Sequence, residues 1–221
     1  LLISRLLFTP MPTSRPPSSR AGLSPRREPT QARATATRAA ILEAAARVLE
    51  QGGLSAFNTN RVAEVAGISI GSLYQYYPHK AALLVALSEQ QTAGLVDRFD
   101  DAITRLGPAT LARGIRALIE VALAHQFERP QLAAALDYAE RELPMSPTLQ
   151  LHRHALLASL VAFLSAHRAE VAGDLRQVAA DLRTIVQSLI DGAALRGEPN
   201  GKPLRARVER AALGYLGYRP S

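Results

Sequence analysis

Apolar residues recur at spacings of three and four through most of the chain from Thr37 onward, the period of helices that each bury one face. In the first such block, 37–53, Ile41, Ala45 and Val48 form a stripe with Leu42 and Leu49 beside it, and Gly52–Gly53 supplies a left-handed stop. A longer block over 79–106 carries Leu83, Leu87, Leu95, Phe99, Ile103 and Leu106 as its apolar contacts and ends at Gly107–Pro108. Five further helices are predicted at 108–128, 130–142, 146–169, 173–196 and 203–217. Their joints are marked by Pro130, Pro144, Pro147, Gly173, Gly197, Pro199, Gly201 and Pro203. In the third of these, Leu156, Leu157, Leu160, Val161, Phe163 and Leu164 cover most of the circumference, which predicts a central, buried helix. No internal repeat is evident, which argues against a solenoid.

Between the first two blocks the pattern changes scale. Over 59–80, TNRVAEVAGISIGSLYQYYPHK, two short helices are joined by a tight turn at Gly67. The first, Asn60–Ala66, can bury Val62, Ala63 and Ala66. Ser69 is a good N-cap for the second, because its hydroxyl accepts a free backbone N–H. Ile70, Leu73 and Tyr77 then share one stripe, while Gly71, Ser72, Gln75 and Tyr76 lie opposite. Pro78 stops this helix, since it lacks an N–H and disfavours helical geometry at the residue before it. The layout, with its motif at 58–77, is that of a helix-turn-helix whose second helix enters a DNA major groove. Taken generically, the same pattern also fits a helical hairpin buried in an all-α protein.

The wording of the segment is more specific. GSLYQYYPHKAALL at 71–84 resembles the tetracycline-repressor (TetR) family, in which a helix-turn-helix ends in a tyrosine-rich recognition helix, followed by a short break and a lysine that opens the next helix. The acidic residue that often follows that lysine is replaced here by Ala81. LIDGAALRG at 189–197 is similar to the family's usual end to the penultimate helix. Extending over roughly residues 35–217, the resemblance implies an all-α fold. An N-terminal three-helix DNA-binding domain (35–95) is expected, joined by a long helix to a C-terminal domain (96–217) that binds an effector and dimerises.

Two seams bear on dimerisation. Leu175, Val178, Leu182, Ile185, Leu189 and Ala193 form one, and Leu204, Val208, Ala211 and Tyr215 the other. Ordinary intramolecular packing accounts for such stripes; a four-helix interface with two helices from each subunit also does, and the resemblance favours this homodimer. The resemblance further implies a pocket for an unidentified small-molecule effector among helices from about 108 to 190. Phe127, Tyr138, His152, Leu156 and Phe163 are candidate lining residues, although packed core accounts for most of them equally well.

Composition changes the picture in one respect. The net charge of +7 and pI near 10.3 suggest a nucleic-acid partner until the charge is located. Residues 1–40 hold seven arginines (Arg5, Arg15, Arg20, Arg26, Arg27, Arg33 and Arg38) against Glu28, a net +6, which leaves +1 for the rest. Only the local motif therefore argues for DNA. Residues 1–32, with six prolines, read as a disordered basic tail; the functional alternative is an arm that follows phosphates or enters the minor groove. The first methionine is Met11, so an alternative start within this tail is also allowed. The chain has no cysteine, which removes disulfide and thiolate chemistry. No run approaches the roughly 18–20 apolar residues of a membrane span, so a cytoplasmic, nucleoid-associated protein is expected.

Enzyme chemistry finds no foothold. No Walker loop, nucleophile elbow, HExxH or GxGxxG is present, and no cofactor is expected. His152 and His154, two residues apart on a helix, point about 200° apart and cannot share a metal. Asp137, Glu140 and Glu142 beside Arg141 read as a solvated charged face or, alternatively, as pocket lining.

The reading is a DNA-binding transcriptional regulator, most simply a repressor that binds a palindromic operator as a homodimer and is released by a small molecule. Gln75 has the donor and acceptor needed to read an adenine edge, Ser72 is a minor reader, and Gly71 permits close approach. Thr59, Tyr74, Tyr76 and Lys80 are expected at phosphates; Asn60, Arg61, Ser69 and His79 complete the candidate surface. The competing readings are a non-specific architectural DNA-binding protein and a helical dimeric adaptor without DNA affinity.

Overall fold

The computed structural model describes residues 29–143 and 145–218. Among them are nine helices and no strand: α1 (Pro29–Ala56), α2 (Thr59–Ala66), α3 (Ile70–Tyr76), α4 (Lys80–Leu106), α5 (Leu111–Phe127), α6 (Pro130–Glu142), α7 (Pro147–Ala166), α8 (Leu175–Leu195) and α9 (Lys202–Tyr215). The fold is all-α, as the periodicity predicts. Most of the expected tail, residues 1–28, lies outside the described residues. Residues 29–32, expected in that tail from composition, open α1. Proline is tolerated at a helix start, and the alanines and arginines after it favour helix. The stop expected at Gly52–Gly53 is a kink at Gly53 (φ 61, ψ −166), after which one more turn runs to Ala56.

The apolar faces sort into two cores. One gathers α1, α2, α3 and the first half of α4 around Ile41, Leu49, Phe57, Val62, Leu73 and Leu83. The other gathers α5, α7, α8 and α9 around residues such as Ile115, Leu123, Leu164, Ile190 and Val208. Helix α4 spans both, with Leu83, Leu84 and Leu87 in the first core and Leu95 and Phe99 in the second. Helix α6 departs from the expected division. Although it follows α5 in sequence, it buries Leu132, Ala135, Leu136 and Ala139 in the N-terminal core, against α1 and α4.

The seams on α8 and α9 are largely intramolecular. Val178, Leu182, Ala193, Leu204 and Val208 are buried within the chain's own C-terminal core, and Leu175 and Leu189 pack against it. A side chain already buried in one subunit has little surface left to lose on association, so Val178, Leu182, Ala193, Leu204 and Val208 are corrected from interface to core, whereas Leu175 and Leu189 are only half-buried. Spacings of three and four define one buried face per helix, and α5 and α7 occupy that face here. Of the expected set, Ile185 and Ala211 are half-buried, and Tyr215 is exposed, with its hydroxyl donating to Asp181 Oδ2 at 2.7 Å.

Candidate nucleic-acid interface and the cavity behind it

The α2–turn–α3 unit is fixed at each joint by backbone chemistry. Asn58 caps α2, its Oδ1 accepting from the N–H of Arg61 at 2.9 Å. Gly67 (φ 68, ψ 30) closes α2 in the left-handed region, where a side chain would be strained. Ser69 then caps α3, its hydroxyl accepting from the N–H of Ser72 at 3.1 Å. Tyr77 is extended (φ −138, ψ 104), the geometry Pro78 imposes on the residue before it. Leu73 is fully buried and anchors α3 to the core. Gly71, Tyr74 and Gln75 are therefore left facing outward.

The eleven candidate DNA contacts are not equally free. Asn60, Gln75 and Lys80 are exposed and make no side-chain hydrogen bond or ion pair among the described residues. Tyr74 is 48% exposed, and its hydroxyl lies 3.2 Å from Thr59 Oγ1, so the two present one joint polar edge. Ser72 is half-buried, and its hydroxyl lies 2.8 Å from that of Ser69, a local commitment that its expected reading role has to break. Arg61 pairs with Glu64 at 2.8 Å. His79 is the N-cap of α4: its Nδ1 accepts from the N–H of Ala82 at 3.1 Å, which ties one ring nitrogen to the helix. Tyr76 packs partly against the core, with the Arg38 guanidinium 5.9 Å from its ring centroid.

Behind this unit, a cavity of about 820 Å³ lies among α4, α5, α6, α7 and α8. Phe127 and Leu156, both expected to line a pocket, are on its wall. Tyr138 is 55% exposed, Phe163 is buried in the C-terminal core, and neither they nor His152 line the cavity. A second, apolar slot of about 50 Å³, between Ile115, Leu118, Ile119 and Leu160, shares Leu95, Leu156, Arg183 and Gln187 with the larger cavity.

The cavity's polar groups were mostly missed at the level of sequence, where isolated charges on a helix look like solvated surface. Asp137 and Glu140 are the exceptions, since a lining role was one reading of Asp137, Glu140 and Glu142, and the first two line the cavity. The Asp137 carboxylate is bonded within it. Its Oδ2 accepts from Nε2 of Gln126, which is only 4% exposed, at 3.0 Å, and Asp191 Oδ1 accepts from Gln187 Nε2 at 2.8 Å. Burial pushes both carboxyls up, Asp191 to about 6, with the charge of Asp137 adding to the effect. His125 is pushed down to about 4, chiefly by burial and then by Arg98, whose Nη2 lies 3.0 Å from its Nδ1. Arg153 pairs with Glu140, and Arg129 reaches across to α1, where it contacts Glu43 and Glu50.

Among the described residues no group of three or more His, Cys, Asp or Glu is placed to hold a metal ion, and no helix is long and apolar enough to cross a membrane.

Residues 41–87 match the family described as "Bacterial regulatory proteins, tetR family". The chain is 33% identical over 106 residues to the HTH-type transcriptional regulator EthR of Mycolicibacterium smegmatis, a match covering 48% of this chain and 48% of that protein. It thus spans about half the length of that relative. Solved structures extend the likeness of fold. The fatty acid degradation regulator FadR from Bacillus halodurans aligns with a TM-score of 0.66 at 15% identity, over 81% of this chain and 94% of that one. The transcriptional regulator FadR from Bacillus subtilis, solved in complex with stearoyl-CoA, aligns with a TM-score of 0.66 at 17% identity, over 80% and 96%. A TetR family transcription regulator from Marinobacter aquaeolei VT8 aligns at 0.62 with 21% identity, over 84% and 97%.

Proposed function

We infer that this chain, which belongs to the tetR family of bacterial regulatory proteins, is a DNA-binding transcriptional regulator that inserts α3 into the major groove. The observation that carries this reading is the outward face of α3. Gly71, Tyr74 and Gln75 stand on a short helix whose start, end and buried side are fixed by Ser69, Pro78 and Leu73. A rigid frame of this kind presents Gln75 to base edges, while Thr59, Tyr74 and Lys80 flank it as phosphate partners.

The finer reading is a repressor. Two subunits place their α3 helices in successive major grooves of a palindromic operator, with half-sites on the order of 34–36 Å apart or a multiple of that. The cavity takes a small-molecule effector. Helix α6 lines the cavity with Asp137 and packs its apolar face on the N-terminal core, so a ligand that shifts α6 shifts the support of α1 as well. Ligand binding then favours a subunit geometry whose recognition helices no longer fit the groove spacing.

A gel-shift comparison tests the reading. The native upstream region and random DNA of equal length are titrated with the full chain and with a version lacking residues 1–28. Preference for the upstream region that survives truncation supports the regulator. Equal affinity that depends on the basic tail indicates an architectural protein, and no affinity at physiological salt indicates an adaptor.

A further inference from the structure

We propose that the cavity between α6 and α8 is built for a cationic amphiphile: a protonated amine held between Asp137 and Asp191, with its apolar body in the slot among α4, α5 and α7. The inference rests on the effector reading above and adds the ligand's chemical class.

Charge pairing within the chamber decides the sign. Arg129 is taken by Glu43 and Glu50, and Arg153 by Glu140. Arg141 donates from Nε to the backbone oxygen of Asp137 and is otherwise exposed, as is Arg183 at the rim. Asp137 and Asp191, by contrast, are half-buried, face the same space, and are in no ion pair within 4.0 Å among the described residues. Among the described residues their only side-chain hydrogen-bond partners are the glutamines. Gln126 and Gln187 each donate to one carboxylate oxygen, which leaves one oxygen of each acid to accept from something else. The two carboxylates repel each other, and the exposed Arg141 offsets their desolvation and repulsion only in part, since both carboxyls stay raised; an ammonium group between them offers three donors to satisfy both. A carboxylate or phosphate headgroup in the same place adds a third negative charge.

Location gives such a ligand leverage. Asp137 belongs to α6, whose apolar face is in the N-terminal core, and Asp191 belongs to α8, which packs in the C-terminal core. An ammonium bridging the two carboxylates draws an element of one core toward an element of the other. The slot lined by Ile115, Leu118, Leu156 and Leu160 continues from the same space and accepts a hydrocarbon or aryl group.

The test uses the full chain and three ligands that share one body: 4-phenylbutylamine, 4-phenylbutyrate and 4-phenylbutan-1-ol, each titrated by calorimetry. The amine is expected to bind roughly tenfold tighter than the other two or better. Asp137→Asn and Asp191→Asn should each remove that preference with far-UV circular dichroism unchanged, whereas Arg183→Gln should keep it. Equal or tighter binding of the acid or the alcohol, no amine binding at millimolar concentration, or a preference that survives both asparagine substitutions overturns the assignment. Should an asparagine variant misfold, the three-ligand comparison on the unaltered chain still decides. Repeating the titrations with upstream DNA separates the two claims. An amine that binds without lowering DNA affinity contradicts the effector role and leaves the ligand class standing. Release of DNA by the acid alone contradicts the class and leaves the role standing.

Discussion

Arg129, at the N-terminal end of α6, grips Glu50 of α1 through two hydrogen bonds, 2.6 Å from Nε to Oε1 and 2.9 Å from Nη2 to Oε2. The same guanidinium reaches Glu43, one heptad earlier on α1, at 3.1 Å. Glu50 is consequently held below the ordinary carboxyl range, chiefly by the hydrogen bond from Arg129. Because Arg129 also lines the cavity, one side chain touches both that cavity and the helix that supports the helix-turn-helix.

Arg129→Ala leaves two carboxylates on α1 without their shared cation, in a partly exposed setting, and should cost about 1–2 kcal/mol of stability. If the pair also transmits ligand binding, the variant still binds DNA, but its affinity responds less to ligand. Denaturation by urea and a gel shift with and without ligand measure the two effects. An unchanged ligand response would remove Arg129 from the coupling and leave it a structural clasp.

On the DNA side, Gln75→Ala should reduce discrimination at one base pair by roughly 1–3 kcal/mol, whereas Lys80→Ala should weaken all sequences alike and lower the salt slope by about 1. Binding isotherms on operator and random DNA at several salt concentrations separate these outcomes. Equal loss of Gln75→Ala on both DNAs would sink the base-reading role.

A close approach inside the C-terminal core supplies a stability test. A Cβ placed on Gly114 would stand 2.1 Å from Cζ of Phe163. Gly114→Ala should therefore destabilise by about 1–3 kcal/mol through overpacking, despite alanine's better helix propensity. Phe163→Leu in the same chain should recover part of the loss, and thermal melting of the single and double variants reads the recovery. A more stable Gly114→Ala protein would mean that the ring moves aside freely.

Two groups that line the cavity contribute to acid stability with opposite signs. His125 has its pKa depressed to about 4, chiefly by burial and then by Arg98, so its contribution is present above its ordinary value near 6.5 and is lost as pH falls through about 4. Asp191 is raised to about 6, first by burial and then by Asp137. Its contribution is full below 3.8 and is lost as pH rises through about 6. Asp191→Asn removes the second effect, so between roughly pH 6.5 and 4 the variant should lose stability more steeply on acidification than the unaltered chain. Melting temperatures across that range check the sign; parallel curves would show that Asp191 titrates no differently in the folded and unfolded chain.

Much of this protein is determined locally and was legible in one dimension. Gly67, Ser69 and Pro78 act on their own backbone neighbours, so the turn, cap and stop of the helix-turn-helix follow from residue type alone. Helix existence followed from periodicity for the same reason, and the family likeness lies in that same segment. Tertiary structure decided which neighbour each apolar face meets. A stripe states that a face is buried but not against what, so Val178, Leu182, Leu204 and Val208 fit core as well as the dimer seam that the resemblance favours, and packing against α5 and α7 made them core. The side on which α6 packs was undecided in the same way, although it brings Arg129 onto Glu50 and places Asp137 in the cavity that Asp191 also lines. Those residues are 79 and 54 positions apart, and their pairing depends on where the helices cross, which no local pattern encodes.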